Sequence, residues 1–236
     1  APNHFTGTNN RLYRNDGDGR FTDVSHAAGI TVTNPATDAP LGKALGVAVF
    51  DYDGDGRLDM LVANDTVRNY LYHNLGDCRF EEVGALEGVA FDRNGRATGA
   101  MVSDSAWFRN DAEIGVGIGN FANEMSSLLV TADGQPPFVD EAVLEGLGPA
   151  SRIPLTFGLM FFDYDLDGRE DLLLAYKDCQ RALRDDRYKL IEYAGAEGYR
   201  ATQLFNLTDD PQHGQCTRLI RGFWAKGNGC RIMMLC

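Results

Sequence analysis

Two stretches of the chain concentrate carboxylates at a spacing that could bind a metal ion. Residues 51–59 read Asp-Tyr-Asp-Gly-Asp-Gly-Arg-Leu-Asp, and residues 163–171 read Asp-Tyr-Asp-Leu-Asp-Gly-Arg-Glu-Asp. Four carboxylates within one short loop repel one another unless a cation neutralises them, and Ca²⁺ is the usual ion of such oxygen-rich loops. The alternative is an acidic, solvated turn without an ion.

The loops differ from an EF-hand, which has a bidentate Glu at position 12 and a helix on each side. Position 12 is Val62 in the first loop and Leu174 in the second, and the last acid stands at position 9. Short apolar runs flank both loops, as is typical of buried strands, so each loop should join two strands. We predict ligation by the aspartate side chains and the arginine carbonyls: Asp51, Asp53, Asp55, Arg57 and Asp59, then Asp163, Asp165, Asp167, Arg169 and Asp171.

Hairpins alternate with these loops. Leu12-Tyr13 and Phe21 flank a turn rich in Asn, Asp and Gly, which predicts two short strands, and residues 70–83 repeat the pattern at an offset of 59. Residues 127–140 form a degenerate third copy of this hairpin pattern. The order strand, loop, strand, hairpin then recurs with a period near 56 residues, the size of a propeller blade.

The middle repeat has lost its metal pattern. At an offset of 54 from the first loop, Asp51, Asp53 and Asp55 become Ser105, Trp107 and Arg109, and Asp59 becomes Glu113. An arginine at a ligand position opposes Ca²⁺ there. The four histidines, His73 among them, have no pairing in the sequence and are interpreted as structural or surface residues.

Composition limits the classes of partner. Residues 1–175 contain 27 acids and 12 Lys/Arg, a net charge of −15, whereas residues 176–236 carry +3. The acidic part excludes a nucleic-acid partner, and no apolar run is long enough for a membrane span. The five cysteines lack the spacing of a zinc site, and their odd number leaves at least one thiol unpaired or paired between chains. The chain begins without Met, so we expect a processed protein or a fragment.

The repeats resemble the FG-GAP/VCBS repeats of integrin-α-like propellers, and most of all the ASPIC/UnbV group that includes the cartilage-acidic-protein relatives. Residues 46–64, 71–80 and 157–174 carry this likeness, which covers roughly residues 8–175. It implies a secreted, extracellular or periplasmic all-β propeller with Ca²⁺ in its loops. It also implies a non-catalytic module that binds proteins or glycans.

The chain departs from that group in two respects. It holds about three four-stranded blades, whereas closed propellers usually have four to eight. We therefore expect a partial propeller: either the chain is a fragment, or the rest of the propeller comes from elsewhere, by association with another chain. In addition, residues 176–211 resemble the C-terminal segment of sulfatases, and residues 176–236 should form a separate α+β or irregular segment, its last part disordered.

This second likeness leaves rival interpretations open. The sulfatase nucleophile motif Cys-x-Pro-x-Arg is absent at every cysteine, so a sulfatase-type hydrolase fragment would lack its catalytic core. Residues 203–206 could instead be one more worn hairpin strand. A third interpretation is a purely structural domain whose aspartate loops hold no ion. The prediction that we adopt is a calcium-binding interaction module, not an enzyme.

Overall fold

The fold is built almost entirely from antiparallel strands. The computed structural model describes residues 4–163, 166, 168–176, 180–184, 188–194, 200–206 and 218–220. In these residues the strands form one two-stranded, two four-stranded and one six-stranded sheet. The single helix of this part, α1 (Leu147–Ser151), is too short to cross a membrane.

The first two sheets follow the chain in order. An isolated hairpin pairs β1 (Tyr13–Gly17) with β2 (Arg20–Asp23). The next sheet has the order β3-β4-β5-β6. Its strands are β3 (Ala44–Phe50), β4 (Asp59–Asn64), β5 (Tyr70–Gly76) and β6 (Arg79–Glu82).

The last two sheets repeat this plan. One contains β7 (Ala100–Ala106), β8 (Gly115–Asn120), β9 (Ser127–Ala132) and β10 (Gln135–Asp140) in chain order. The other begins with β11 (Thr156–Phe162) and β12 (Asp171–Tyr176). It continues through β13 (Gln180–Arg184), β14 (Tyr188–Ala194), β15 (Arg200–Asn206) and β16 (Arg218–Ile220), each antiparallel to the strand before it.

The inner strand pairs of the three large sheets repeat with one register. Ala44 pairs with Asn64, Ala100 with Asn120 and Thr156 with Tyr176, and a bulge follows each of these pairs. The structural offset is therefore 56 residues at each step, and the offset of 54 used above for the middle loop is wrong. With an offset of 56 residues, the middle repeat aligns Trp107, Arg109, Asp111 and Gly115 with Asp51, Asp53, Asp55 and Asp59.

Neighbouring sheets pack face to face through apolar side chains. Strand β3 lies beside β7, and β7 lies beside β11. Between the sheets lie two clusters of buried side chains, one including Phe50, Leu61 and Ile118 and the other including Leu159 and Leu174. A third cluster, around Tyr70 and Tyr72, joins the N-terminal segment to the β3–β6 sheet.

Two glycines permit the closest approach between successive repeats. Gly29 and Gly88 have φ angles of 78° and 80° in turns that touch the next hairpin. A Cβ at either position would lie 2.5 Å from a main-chain oxygen, that of Phe80 or Phe138. Next to these glycines, Phe80 N donates to Ala28 O and Phe138 N donates to Glu87 O, each over 2.8 Å.

Successive four-stranded antiparallel sheets with their inner strands side by side are the blades of a β-propeller. The predicted fold class, an all-β partial propeller of about three blades, is confirmed. The hairpins predicted after Leu12, Tyr70 and Ser127 are β1–β2, β5–β6 and β9–β10. The boundary predicted after residue 175 and the sulfatase likeness stay predictions, and residues 221–236 lie outside the described residues.

Candidate metal site

The first aspartate loop connects the innermost strands of the first complete blade. Phe50 pairs with Asp59, so the loop residues stand between the ends of β3 and β4. Asp51 organises the turn, because its carboxylate accepts hydrogen bonds from Gly54 N and Gly56 N over 2.8 Å and from Asp55 N over 3.2 Å. The turn needs positive φ at both glycines, 75° and 84°.

The predicted aspartates of this loop converge. Asp51, Asp53 and Asp59 each place one carboxylate oxygen within 4.8 Å of the others, and Asp53 also meets Asp55 in a second group of the same size. Oxygen atoms at this spacing suit a hard divalent cation, which could contact them together. The donor set therefore fits Ca²⁺, although ligation by these residues stays a prediction.

Asp59 is the buried member of the group. Its carboxylate accepts hydrogen bonds from Asn74 N over 2.7 Å and from Tyr52 N over 3.1 Å, and it has no exposed surface. Burial raises the pKa of Asp59 above its usual value, because the ionised form loses solvation. A bound cation would offset that cost, so the position suits a ligand better than a simple turn residue.

The side chain of Arg57 has a second role, in addition to the metal ligation predicted for its carbonyl oxygen. Its guanidinium pairs with the Asp55 carboxylate, and its Nε donates to Asn74 O over 2.7 Å. The side chain thus ties the loop to the hairpin β5–β6. It also neutralises part of the charge of Asp55, so this aspartate is shared between the arginine and any ion.

His73 was interpreted as structural, yet it faces the loop. Its Nδ1 lies 3.4 Å from Asp59 Oδ1 and 3.5 Å from Asp53 Oδ2 and is buried without a hydrogen-bond partner. Its ring stands edge-on to Tyr52, with 5.7 Å between centroids. The pairing register of the strands could have indicated this position of His73, because strand β5 runs directly beside the loop.

Glu87 is a further carboxylate near this site, and the sequence analysis did not predict its position. Burial raises the pKa of Glu87, and the field of Asp53 adds to that rise while His73 opposes it. Glu87 follows β6 in the turn that ends at Gly88. No spacing rule connects this turn to the loop, so only the folded packing places Glu87 near the aspartates.

The second aspartate loop repeats the first where it is described. Asp163 accepts a hydrogen bond from Gly168 N over 2.8 Å, as Asp51 does from Gly56 N. Asp171 is buried at the start of β12, in the position of Asp59. Asp165 and Asp167 lie outside the described residues, and Arg169 is exposed.

The middle loop holds an arginine where the first holds Asp53. The Arg109 guanidinium lies 2.6 Å from a Glu113 oxygen and 2.7 Å from oxygens of both Glu141 and Glu145. These hydrogen bonds raise its pKa although burial opposes the charged form. The loop therefore carries its own cation, and the absence of Ca²⁺ there stays a prediction.

The comparison with protein families matches the first part of the chain to a known repeat. The model of the FG-GAP-like repeat matches residues 5–62 and 51–105. The resemblance to FG-GAP propeller repeats is thereby confirmed.

Among curated proteins, the chain is similar to cartilage acidic protein 1 from Homo sapiens and Mus musculus. Both are 27% identical over 176 residues, which is 71% of this chain. The matched part is 24% of the human protein and 25% of the mouse protein. The chain thus spans about a quarter of the length of these relatives.

Among solved structures, two exo-β-1,3-galactanases resemble the chain weakly. The enzyme from Phanerochaete chrysosporium has a TM-score of 0.40 at 8% identity, covering 83% of this chain and 51% of the enzyme. The enzyme from Clostridium thermocellum has a TM-score of 0.36 at 11% identity, covering 82% and 51%. Such values transfer no activity to this chain.

Proposed function

We propose that this chain is a calcium-binding interaction module of an extracellular protein and is not an enzyme. The observation that carries the proposal is the convergence of Asp51, Asp53 and Asp59 within 4.8 Å at the joint between two inner strands. Calcium would have a structural role, because it would hold together carboxylates that otherwise repel and so would fix the ends of β3 and β4.

The site is built for binding rather than for turnover. Asp51 and Asp59 already accept main-chain hydrogen bonds, which hold their carboxylates in place before any ion arrives. We propose extracellular proteins and glycans as the partner classes, on the similarity to cartilage acidic protein 1.

Calorimetric titration with CaCl₂ tests the ion. We expect binding in the wild-type protein and a Tm that falls when EDTA removes the ion, because the ligand stabilises only the folded state. Asp51→Ala combined with Asp163→Ala should abolish both responses. Identical melting curves with and without Ca²⁺, and no heat at millimolar Ca²⁺, would support solvated turns instead.

Asp51 alone is an ambiguous probe, because its loss also removes three main-chain hydrogen bonds. Asp53→Asn is cleaner, since Asp53 accepts one hydrogen bond, from Asp55 N over 3.1 Å. This variant should melt like the wild type in EDTA and gain less from Ca²⁺. Asp16→Asn, at the bulge of the exposed hairpin β1–β2, is the matched control and should keep the full calcium response.

The binding role has its own test. Arrays of extracellular-matrix proteins and glycans should retain the wild-type protein in Ca²⁺ and lose it in EDTA. The rival hydrolase interpretation predicts turnover of aryl sulfates that disappears when a single cysteine is replaced. We expect no turnover, because the nucleophile motif of sulfatases is missing from the sequence.

A further inference from the structure

His73 brings a nitrogen donor to the carboxylates of the first aspartate loop. One ligand atom each of Asp53, Asp55 and His73 lies within 4.8 Å of the others. Nδ1 of His73 lies 3.4 Å from Asp59 Oδ1 and 3.5 Å from Asp53 Oδ2. The loop therefore meets a nitrogen beside its oxygens, which the aspartate pattern in the sequence does not contain.

The surroundings of this nitrogen leave it without an ordinary partner. Nδ1 of His73 is buried, and it has no hydrogen bond among the described residues. If Nδ1 lacks a proton, its lone pair faces two carboxylate oxygens, and three electron-rich atoms in a buried site repel one another. If Nδ1 carries the proton, neither oxygen lies in hydrogen-bond geometry to receive it. A cation between the three atoms removes both difficulties, because each atom can donate a lone pair to it.

The spacing of these three atoms suits a small transition-metal ion. Zn²⁺ binds imidazole nitrogen and carboxylate oxygen at about 2.0–2.1 Å, and tetrahedral angles then separate neighbouring ligand atoms by about 3.4 Å. The distances of 3.4 and 3.5 Å from Nδ1 to the two oxygens match that separation. Imidazole is a preferred donor for Zn²⁺, whereas Ca²⁺ takes oxygen ligands.

The sheet holds two of these donors in place. Asp59 begins β4 and His73 lies in β5, so the two side chains come from adjacent strands. Main-chain nitrogens of Asn74 and Tyr52 donate to the Asp59 carboxylate, and the Tyr52 ring stands edge-on to that of His73. Supporting contacts of this kind orient metal ligands and contribute to affinity. The separation of Asp59 and His73 is therefore fixed by the blade and not by the loop alone.

The strand register gives this position a different residue in each of the three large sheets. The position lies two residues after a leucine that pairs with the same site of the inner strand. His73 occupies it in the first blade, and the buried Val130 occupies it in the middle blade, whose loop lacks the aspartates. In the third repeat the sequence has Asp185, outside the described residues. The donor accompanies the aspartate loops, and the first loop is the one with a nitrogen. The three leucines are Leu71, Leu128 and Leu183.

We propose that the first aspartate loop also binds a divalent transition-metal ion of the zinc class, through Nδ1 of His73 together with Asp53 and Asp59. Asp55 is the adjacent fourth donor. This inference rests on the proposed function in that the loop is a cation site, and it adds the class of ion that His73 selects. Ca²⁺ and the transition-metal ion would use the same two aspartates, so they compete for one site.

Nitrogen-15 NMR of the histidine rings tests the inference in the full chain. The labelled protein is stripped of metal with a chelating resin and titrated with ZnCl₂. The ring signals of His73 are identified by their absence from the spectrum of His73→Asn. Because this readout reports on one side chain of the wild-type protein, zinc held by any of the five cysteines does not enter it.

We expect ZnCl₂ to shift the Nδ1 signal of His73 and excess CaCl₂ to reverse the shift. His73→Asn replaces the nitrogen by an amide oxygen at a similar distance from the main chain, so this variant should keep its calcium response. The zinc concentration that halves the heat of calcium binding should rise by about tenfold or more in His73→Asn. His26→Asn, which removes an exposed imidazole far along the chain from this loop, is the matched control and should behave like the wild type.

The two proposals fail separately. An Nδ1 signal that stays in place with Zn²⁺, while Ca²⁺ still raises the Tm, would overturn this inference and leave the calcium role standing. A zinc shift without any calcium response would support this inference and overturn the calcium role. Equal effects of His73→Asn and His26→Asn on the zinc competition would also overturn the inference, because the zinc would then act outside this loop.

Discussion

The main-chain nitrogen of Asn74 donates a 2.7 Å hydrogen bond to Oδ1 of the fully buried Asp59. This contact joins the outer hairpin of a blade to the loop between its inner strands. The Asn74 side chain adds a bond from Nδ2 to Leu58 O, and its main-chain oxygen accepts the bond from Arg57. The geometry of the aspartates therefore depends on a residue 15 positions downstream of the last of them.

Asn74→Ala should reduce the rise in Tm that Ca²⁺ produces, because the Leu58 end of the loop loses its support. The loss of stability without Ca²⁺ should be about 1 kcal/mol per hydrogen bond removed. Asn15→Ala removes the equivalent turn bond in β1–β2 without touching this loop. It should leave the calcium response intact, and thermal melts in Ca²⁺ and in EDTA compare the two variants. Equal calcium responses would contradict the role of Asn74.

In EDTA, lowering the pH should increase the stability of the wild type relative to that of Asp59→Asn. Since burial raises the pKa of Asp59, the folded protein holds this proton more tightly than the unfolded chain. The ionised group therefore costs stability at neutral pH, and that cost disappears as the pH falls through the raised pKa toward the unfolded value of 3.8. The measurement is the difference in Tm between the two proteins from pH 7.5 to pH 4.5.

Asp16 provides a control of opposite sign for this pH dependence. Hydrogen bonds from Thr22 and Arg14 lower the pKa of Asp16, so its contribution is present above the unfolded value and is lost as the pH falls through the lowered pKa. The wild type should keep its advantage over Asp16→Asn from pH 7.5 to pH 4.5 and lose it only when the measurement is extended below pH 3.8. Parallel slopes for the two comparisons would show that burial of Asp59 has no effect on stability.

Arg109→Met should destabilise the protein by about 2 kcal/mol or more, because Glu113, Glu141 and Glu145 would face one another without their cation. Adding Glu145→Gln should recover part of this loss, since the two changes are coupled. Arg14→Met, which breaks the exposed pair with Asp16, should change stability by less than about 1 kcal/mol. Urea denaturation in Ca²⁺ and in EDTA should give the same losses for Arg109→Met, as this loop needs no ion.

Gly88→Ala should cost about 3 kcal/mol, since alanine is strained at φ 80° and its Cβ would lie 2.5 Å from Phe138 O. Gly95→Ala separates the two causes. Gly95 has a φ of 73° but open space around it, so the strain alone should cost about 1 kcal/mol. If both variants unfold at the same urea concentration, the contact with Phe138 has no energetic weight.

The strand pattern could be predicted because it depends on local signals. The apolar runs beside Asp51 and Asp163 indicated buried strands, and the turn residues after Tyr13 and Tyr72 indicated hairpins. The alignment of the middle repeat failed because Trp107 and Arg109 share no residue types with the aspartate loops, so nothing in that stretch fixed its register. The strand pairs of β7 and β8 supply the register that composition could not.

The surroundings of the first loop could not be predicted for a different reason. His73 and Glu87 come from β5 and from the turn after β6, and the distance between residues in separate hairpins depends on how the sheet is twisted and packed. The carboxylates of the loop itself are close in sequence and were recognised. The groups that set their electrostatic environment are distant in sequence and required the fold.

The bonds from Phe80 N to Ala28 O and from Phe138 N to Glu87 O have a common direction along the chain. In both cases a main-chain nitrogen of an outer hairpin donates a hydrogen bond to the turn that ends the preceding repeat. The acceptor therefore belongs to an earlier part of the polypeptide than the donor. During synthesis the acceptor turn would always emerge before its donor hairpin. Blades can therefore be added one at a time onto a finished edge, from the N-terminal side toward the C-terminal side.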